Sequence, residues 1–309
     1  MPIATSLGPI NRLLENRAQT LFDQGLFHEA IEAAEAGVDS ARRLFVDGDE
    51  MAVTNLLDAM LVEADIRRHT GYMDAAEEEY REVIQIGTDT GRMARQLAFA
   101  RAGLGDIAEE RGHSTEALRQ YESAVRGLES VGSSVTEECA RLRNNLAMLY
   151  KDDGDFQAAE QHLIAGIQSL EGVVGRYNAT AATLYNNLAT LYMKVGHMEE
   201  AKEMAMIAYD VRREVLPPNH VDCIQSLSNL GAIHYELDDM DAATQAFSQA
   251  VQAMEDNHSV DPHDYEVVVA NYIDLLLSSG QTEESAYAAQ RARERYQELI
   301  QMRTAYATT

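Results

Sequence analysis

Four asparagines, Asn145, Asn187, Asn229 and Asn271, recur at intervals of 42 residues inside stretches whose apolar spacing is helical. Asparagine is a middling helix former that competes for backbone hydrogen bonds, so its repeated placement inside helices needs a reason. Its amide offers a donor and an acceptor together. A row of such amides along a groove can pair with the C=O and N–H groups of an extended chain, whatever side chains that chain carries. The same row can instead bridge neighbouring helices, and the sequence leaves both readings open.

Residues four before, three after and six or seven after each asparagine share its helix face. They define a candidate peptide groove of Arg141, Asn145, Met148 and Lys151 in one helix, then Thr183, Asn187, Thr190 and Lys194 in the next. Gln225, Asn229 and Tyr235 continue it, and Asn271 ends it, with Val267, Ala232, Glu236 and Asp274 at the remaining matched positions. Upstream, Asn16 fits the pattern, but Val62 and Gly103 break it. The groove is therefore expected in the C-terminal four units.

Other chemistry is sparse. His258, Asp261, His263 and Asp264 form the densest group of metal-ligand types, and they read as a polar connector with helix caps. Cys139 and Cys223 stand far apart with no CxxC spacing and no catalytic histidine in a recognisable arrangement, so both read as small buried residues. His234 takes the place of Tyr150 and Tyr192 in its own unit and is expected to pack as they do. The glycines are spent on turns, leaving no phosphate-binding loop. The expectation is a chain that is not an enzyme and takes no cofactor and no metal.

Charge narrows the partners. Fifty-one acidic against 25 basic residues give a net charge of −26, which argues against nucleic acid and against anionic membrane surfaces. No apolar run approaches the roughly 18 to 20 residues that span a bilayer, and residues 1–9 show no secretory pattern. A soluble, cytoplasmic protein is expected, monomeric in preference to oligomeric.

The elements that position these residues come from a repeat. A turn of the form Gly-x-x-x-x-(Ala or small) begins at Gly25, Gly71, Gly112, Gly154, Gly196, Asp238 and Gly280, with intervals of 46, 41, 42, 42, 42 and 42 residues. Before each turn lies a helical apolar pattern, as in Leu142, Leu146 and Leu149; after it, small residues share one face, as in Ala201, Ala205 and Ala208. Each unit is thus two helices, and no unit can bury its apolar faces alone. The sequence predicts an all-α, right-handed superhelical solenoid of about seven antiparallel helix pairs, running as one body over residues 1–309. Its units fall near 9–48, 50–90, 92–133, 136–175, 178–217, 220–258 and 262–306. Residues 201–282 hold 14 acids and 3 bases, whereas 283–306 are neutral, as expected of a capping helix.

These turns resemble tetratricopeptide repeats, and the 42-residue spacing resembles the repeats of kinesin light chains. The resemblance rests on Thr183-Leu184-Tyr185-Asn186-Asn187-Leu188-Ala189-Thr190-Leu191-Tyr192 with Gly196-His197-Met198-Glu199-Glu200-Ala201, and on the connector Leu216-Pro217-Pro218-Asn219-His220-Val221-Asp222. The tetratricopeptide pattern covers essentially the whole chain, and the light-chain pattern is clear over 139–282. The resemblance implies that the first helix of each pair lines a concave groove that binds an extended peptide or partner helix, without catalytic residues. The family's clamp for a terminal carboxylate needs several converging cations, and only Arg141, Lys151 and Lys194 are at hand. The expected function is a protein–protein interaction module, an adaptor or scaffold holding a segment of mixed charge. Its alternatives are a peptide-responsive regulatory sensor and a structural self-assembly module.

Overall fold

The computed structural model describes residues 8–46, 49–173, 175, 178–257 and 260–306. Among them there are fourteen α-helices and no strand. Helices α1 (Gly8–Asp23), α2 (Phe27–Leu44), α3 (Glu50–His69), α4 (Met73–Thr90), α5 (Ala94–Glu110) and α6 (Ser114–Val131) precede α7 (Thr136–Asp153). Then follow α8 (Phe156–Val173), α9 (Ala179–Val195), α10 (Met198–Val215), α11 (Val221–Glu236), α12 (Met240–Glu255), α13 (Pro262–Ser278) and α14 (Thr282–Tyr306).

All seven repeated turns are built alike. Each closes with a backbone bond from the residue after the turn glycine, or its Asp238 equivalent, to the carbonyl five residues earlier, from Leu26 to Leu21 (2.9 Å) through Gln281 to Leu276 (2.8 Å). That six-to-one closure needs a left-handed residue at the helix end, which glycine adopts without steric cost. Asp238 has φ 60°, the one positive φ among the described non-glycine residues, and it stands in the glycine slot. The small residue five positions on packs inside: Ala30, Ala76, Ala117, Ala159, Ala201 and Ala243 are fully buried and Ser285 nearly so. Between repeats, side chains cap the next helix. Asp49 accepts from the N–H groups of Met51 and Ala52, Asn178 from Thr180 and Ala181, and Asp261 from His263, with Pro262 in the first turn.

The chain divides into two compact units, Met1–Leu149 and Tyr150–Thr309. In the first, α3 packs on α2, α4 and α5, and Leu57, Met60, Tyr80, Val83 and Ile107 form its main core. In the second, α9, α11 and α13 lie in sequence beside one another, each paired with the helix that follows it. Ala205 packs with Leu230 and Ile233, while Ile224, Met254, Tyr265 and Leu299 form a further cluster.

Candidate peptide-binding face

On each first helix the groove residues fall in one row, at spacings of three and four. Helix α7 carries Arg141, Asn145, Met148 and Lys151; α9 carries Thr183, Asn187, Thr190 and Lys194; α11 carries Gln225, Asn229 and Tyr235; α13 carries Asn271. None of the twelve is buried, and Arg141, Lys194, Gln225, Tyr235 and Asn271 are exposed. The α9 row holds both its threonines by bonds within the helix: Thr183 Oγ1 donates to the Ala179 carbonyl (3.2 Å) and Thr190 Oγ1 to that of Asn187 (2.9 Å). Lys194 does not stand free; its ammonium lies 5.5 Å from the centroid of the Phe156 ring.

At Asn229 the amide has a definite task. Its Nδ2 donates to Oδ1 of Asn186 (3.0 Å), a bridge from α11 to α9. Asn186 itself is buried and precedes Asn187 by one residue. The same Oδ1 accepts from Arg212 (3.4 Å), whose guanidinium is 3% exposed and comes from the C-terminal turn of α10. Arg212 also donates to Ser226 Oγ (2.8 Å), the Asp222 carbonyl (2.7 Å) and Gln225 Oε1 (3.3 Å). Burial pulls this guanidinium below its ordinary value, and the nearby Asp222 charge partly offsets that. A buried cation held by neutral acceptors thus sits behind the row, where the sequence reading placed none.

Beside Gln225 the face opens into a cavity of about 280 Å3 between α11 and α13. Val221, Gln225, Ser228 and Val267 line it, with Ile224 and Met254 deeper and Asp222 and Asp264 at its edge. Val221 and Val267 are 55% and 47% exposed, so two apolar side chains face solvent around a hollow that holds polar groups on one wall.

Two stretches match known repeats. The tetratricopeptide repeat pattern matches residues 139–176 and again residues 180–256. These two stretches are tetratricopeptide repeats. Solved structures agree. BtubC (BKLC) from P. vanneervenii is 26% identical with a TM-score of 0.66, covering 76% of this chain and 94% of that one. RapI in its apo form is 12% identical with a TM-score of 0.73, over 93% and 76% of the two chains. A Rap protein complexed with Competence and Sporulation Factor is 14% identical with a TM-score of 0.58, over 95% and 78%. No curated protein sequence matches the chain. Tetratricopeptide repeats serve generally as protein–protein interaction scaffolds and are generally not enzymes.

Cys139 and Cys223 are free and buried, and burial pushes both thiols up. Among the described residues no group of His, Cys, Asp and Glu is placed to hold a metal ion. His258, one member of the connector group, lies outside the described residues. His234 differs from its tyrosine counterparts: its Nδ1 lies 3.3 Å from Asp239. Tyr150 stacks on His162, and Tyr192 donates to Glu160 (2.6 Å). An imidazole is too short to reach a neighbouring helix as these phenols do, and it lies at the turn instead. No helix among the described residues is long and apolar enough to cross a membrane.

Proposed function

We propose that the chain is a non-enzymatic adaptor or scaffold whose first-helix face in residues 150–306 holds an extended segment of a partner protein. The cavity beside Gln225 carries this reading: it offers apolar walls for one ligand side chain and the Gln225 amide and Ser228 hydroxyl for the ligand backbone. Asp222 and Asp264 favour a basic residue at that end, and Lys151 and Lys194 favour an acidic one toward the other, so the segment carries mixed charge. The Rap protein that shares this fold is complexed with a factor, which fits a repeat stack used as a receptor for a smaller partner. A cytoplasmic, monomeric protein belongs to the same proposal.

The test is affinity capture from the native host, comparing wild type with the double variant Val267→Glu, Ser228→Arg. Both positions keep solvent access, so the variant keeps its melting temperature. A protein retained by wild type and lost by the variant supports the proposal; identical sets of retained proteins refute it.

A further inference from the structure

The second helices carry two pockets at matching places in the repeat, one in each unit. In residues 1–149 the pocket between α2 and α4, floored by α3, has a volume of about 410 Å3 and is lined with charge. Glu63 and Glu79 are buried there, Arg67 pairs with both, and Arg42 pairs with Glu82 (3.0 Å). In residues 150–309 the pocket between α12 and α14, floored by α13, has about 240 Å3. Counted from each helix start, Glu255 stands where Arg42 stands and Arg291 where Glu82 stands. The cross-helix ion pair therefore recurs with its charges exchanged. Its floor is no longer ionic: Tyr272 takes the place of Glu63, eight residues before the turn glycine.

Three observations describe what this second pocket lacks. Tyr265, in its wall, is 1% exposed, yet its hydroxyl makes no hydrogen bond to another group of the protein. Buried hydroxyls are nearly always paired, because leaving one unpaired costs about 1 to 3 kcal/mol. Burial first, and then the Glu255 carboxylate, push this phenol up to about 12, so it keeps its proton. Glu284 is an exposed carboxylate with no ion pair among the described residues. Tyr287 is 64% exposed, and the resident guanidinium of Arg291 already lies 6.0 Å from its centroid.

The unmet groups are a carboxylate and a phenol oxygen, beside an exposed ring that already faces one guanidinium, and the lining carries two carboxylates against one cation. They call for a cation with several donors. A guanidinium is planar, donates in a fork and stacks on aromatic rings, whereas an ammonium is a tetrahedral point charge with no planar fork. The volume is below the roughly 300 to 1,000 Å3 of small-molecule sites and suits one side chain. We propose that this pocket takes a guanidinium group, the side chain of an arginine on a partner protein, stacked on Tyr287 and donating to the Glu284 carboxylate and the Tyr265 oxygen. The site is separate from the first-helix face and stands or falls without it.

The test is a 19F NMR titration of the full chain carrying 3-fluorotyrosine, with resonances assigned through single Tyr→Phe variants. The probes are acetyl-Gly-Arg-Gly-amide, the same tripeptide with citrulline, and free L-arginine. The arginine tripeptide shifts the Tyr272 and Tyr287 resonances saturably. Glu284→Gln weakens it at least tenfold, and Tyr265→Phe weakens it severalfold with the melting temperature unchanged. Weaker binding of free L-arginine supports the partner side chain, and tighter binding overturns that source. An equal response to citrulline, or none lost in Glu284→Gln, overturns the guanidinium site.

Discussion

Residues 1–149 and 150–309 use one repeat grammar and finish their first-helix faces in opposite ways. On α3 and α5 of the first unit that face is closed by the protein's own side chains. Tyr80 on α4 lays its ring against Gly103 of α5 while its hydroxyl donates to Asp65 of α3 (2.5 Å); the Tyr121 hydroxyl lies between Asp106 (2.7 Å) and Glu109 (2.8 Å) of α5. Arg68 ties Asp106 (3.2 Å) to Glu110 (3.3 Å). Burial pushes Asp65 and Asp106 up, opposed by the tyrosine hydroxyls and Arg68, and it pushes both phenols further up. In the second unit Ala205 stands where Tyr80 stands, and Asn229 where Gly103 stands. The ring and the glycine give way to a methyl and an amide. The exchange teaches that the asparagine row stops at Gly103 for a steric reason. A Cβ there would sit 2.2 Å from Tyr80 Cζ.

The largest effect should come from forcing the second pattern onto the first. Gly103→Asn drives a side chain into the Tyr80 ring, and overpacking of that severity costs about 3 kcal/mol. Chemical denaturation should show much of the loss recovered in the double variant Gly103→Asn, Tyr80→Ala. A single variant as stable as wild type would break the comparison outright. Next in size is Arg212→Met, which strips a donor from buried Asn186 and Ser226 and should cost about 2 kcal/mol. Unchanged stability would mean that this cation does not hold α9, α10 and α11 together.

Protonation distinguishes the units further. Glu79 is pushed up to about 9 by burial first and then by the Glu63 carboxylate, with Arg67 opposing; Glu63 is also raised, burial leading. Glu35, Asp39, Glu78 and Glu82 add negative charge around the pair, and Arg42 adds positive charge. A carboxyl raised in the folded state binds a proton that the unfolded chain has released. Its stabilising contribution is full below about 4.5 and is lost as pH rises toward 9. Hydrogen exchange, corrected for intrinsic rates, should show protection in α3 and α4 falling between pH 6 and 8 more than in α11 and α12. Glu79→Gln should flatten the difference, and equal slopes in both units would contradict it. The smallest effect is expected from Asn229→Ala, about 1 kcal/mol for one lost interhelical bond. A loss of partner affinity without that cost would restore the amide to ligand binding.

Much of this was legible in the sequence. The turns were, because a left-handed helix end demands glycine, and Asp238 in the glycine slot still adopts φ 60°. The rows were, because spacings of three and four fix a shared face whatever the neighbours do. What the rows touch was less so. Asn186 and Asn187 are adjacent, and periodicity alone does not show that Asn186 is the buried acceptor for Asn229, offset by 43 residues instead of 42. Arg212 lies outside the first-helix rows, although its place after Ala201, Ala205 and Ala208 puts it on the buried face of α10. The Tyr80 and Gly103 contact joins different repeats through a ring, and no local pattern announces it.

The most direct measurement is site-specific photo-crosslinking with benzoylphenylalanine at Gln225 and, separately, at Phe99, which holds the matching place four residues before Gly103. Each variant is irradiated in lysate of the native host and its adducts are identified by mass spectrometry. A partner adduct at position 225 that vanishes in the Val267→Glu, Ser228→Arg background, with none at position 99, is the predicted result. The same adduct at both positions, or at 99 alone, would contradict a partner site confined to the open first-helix face of residues 150–306.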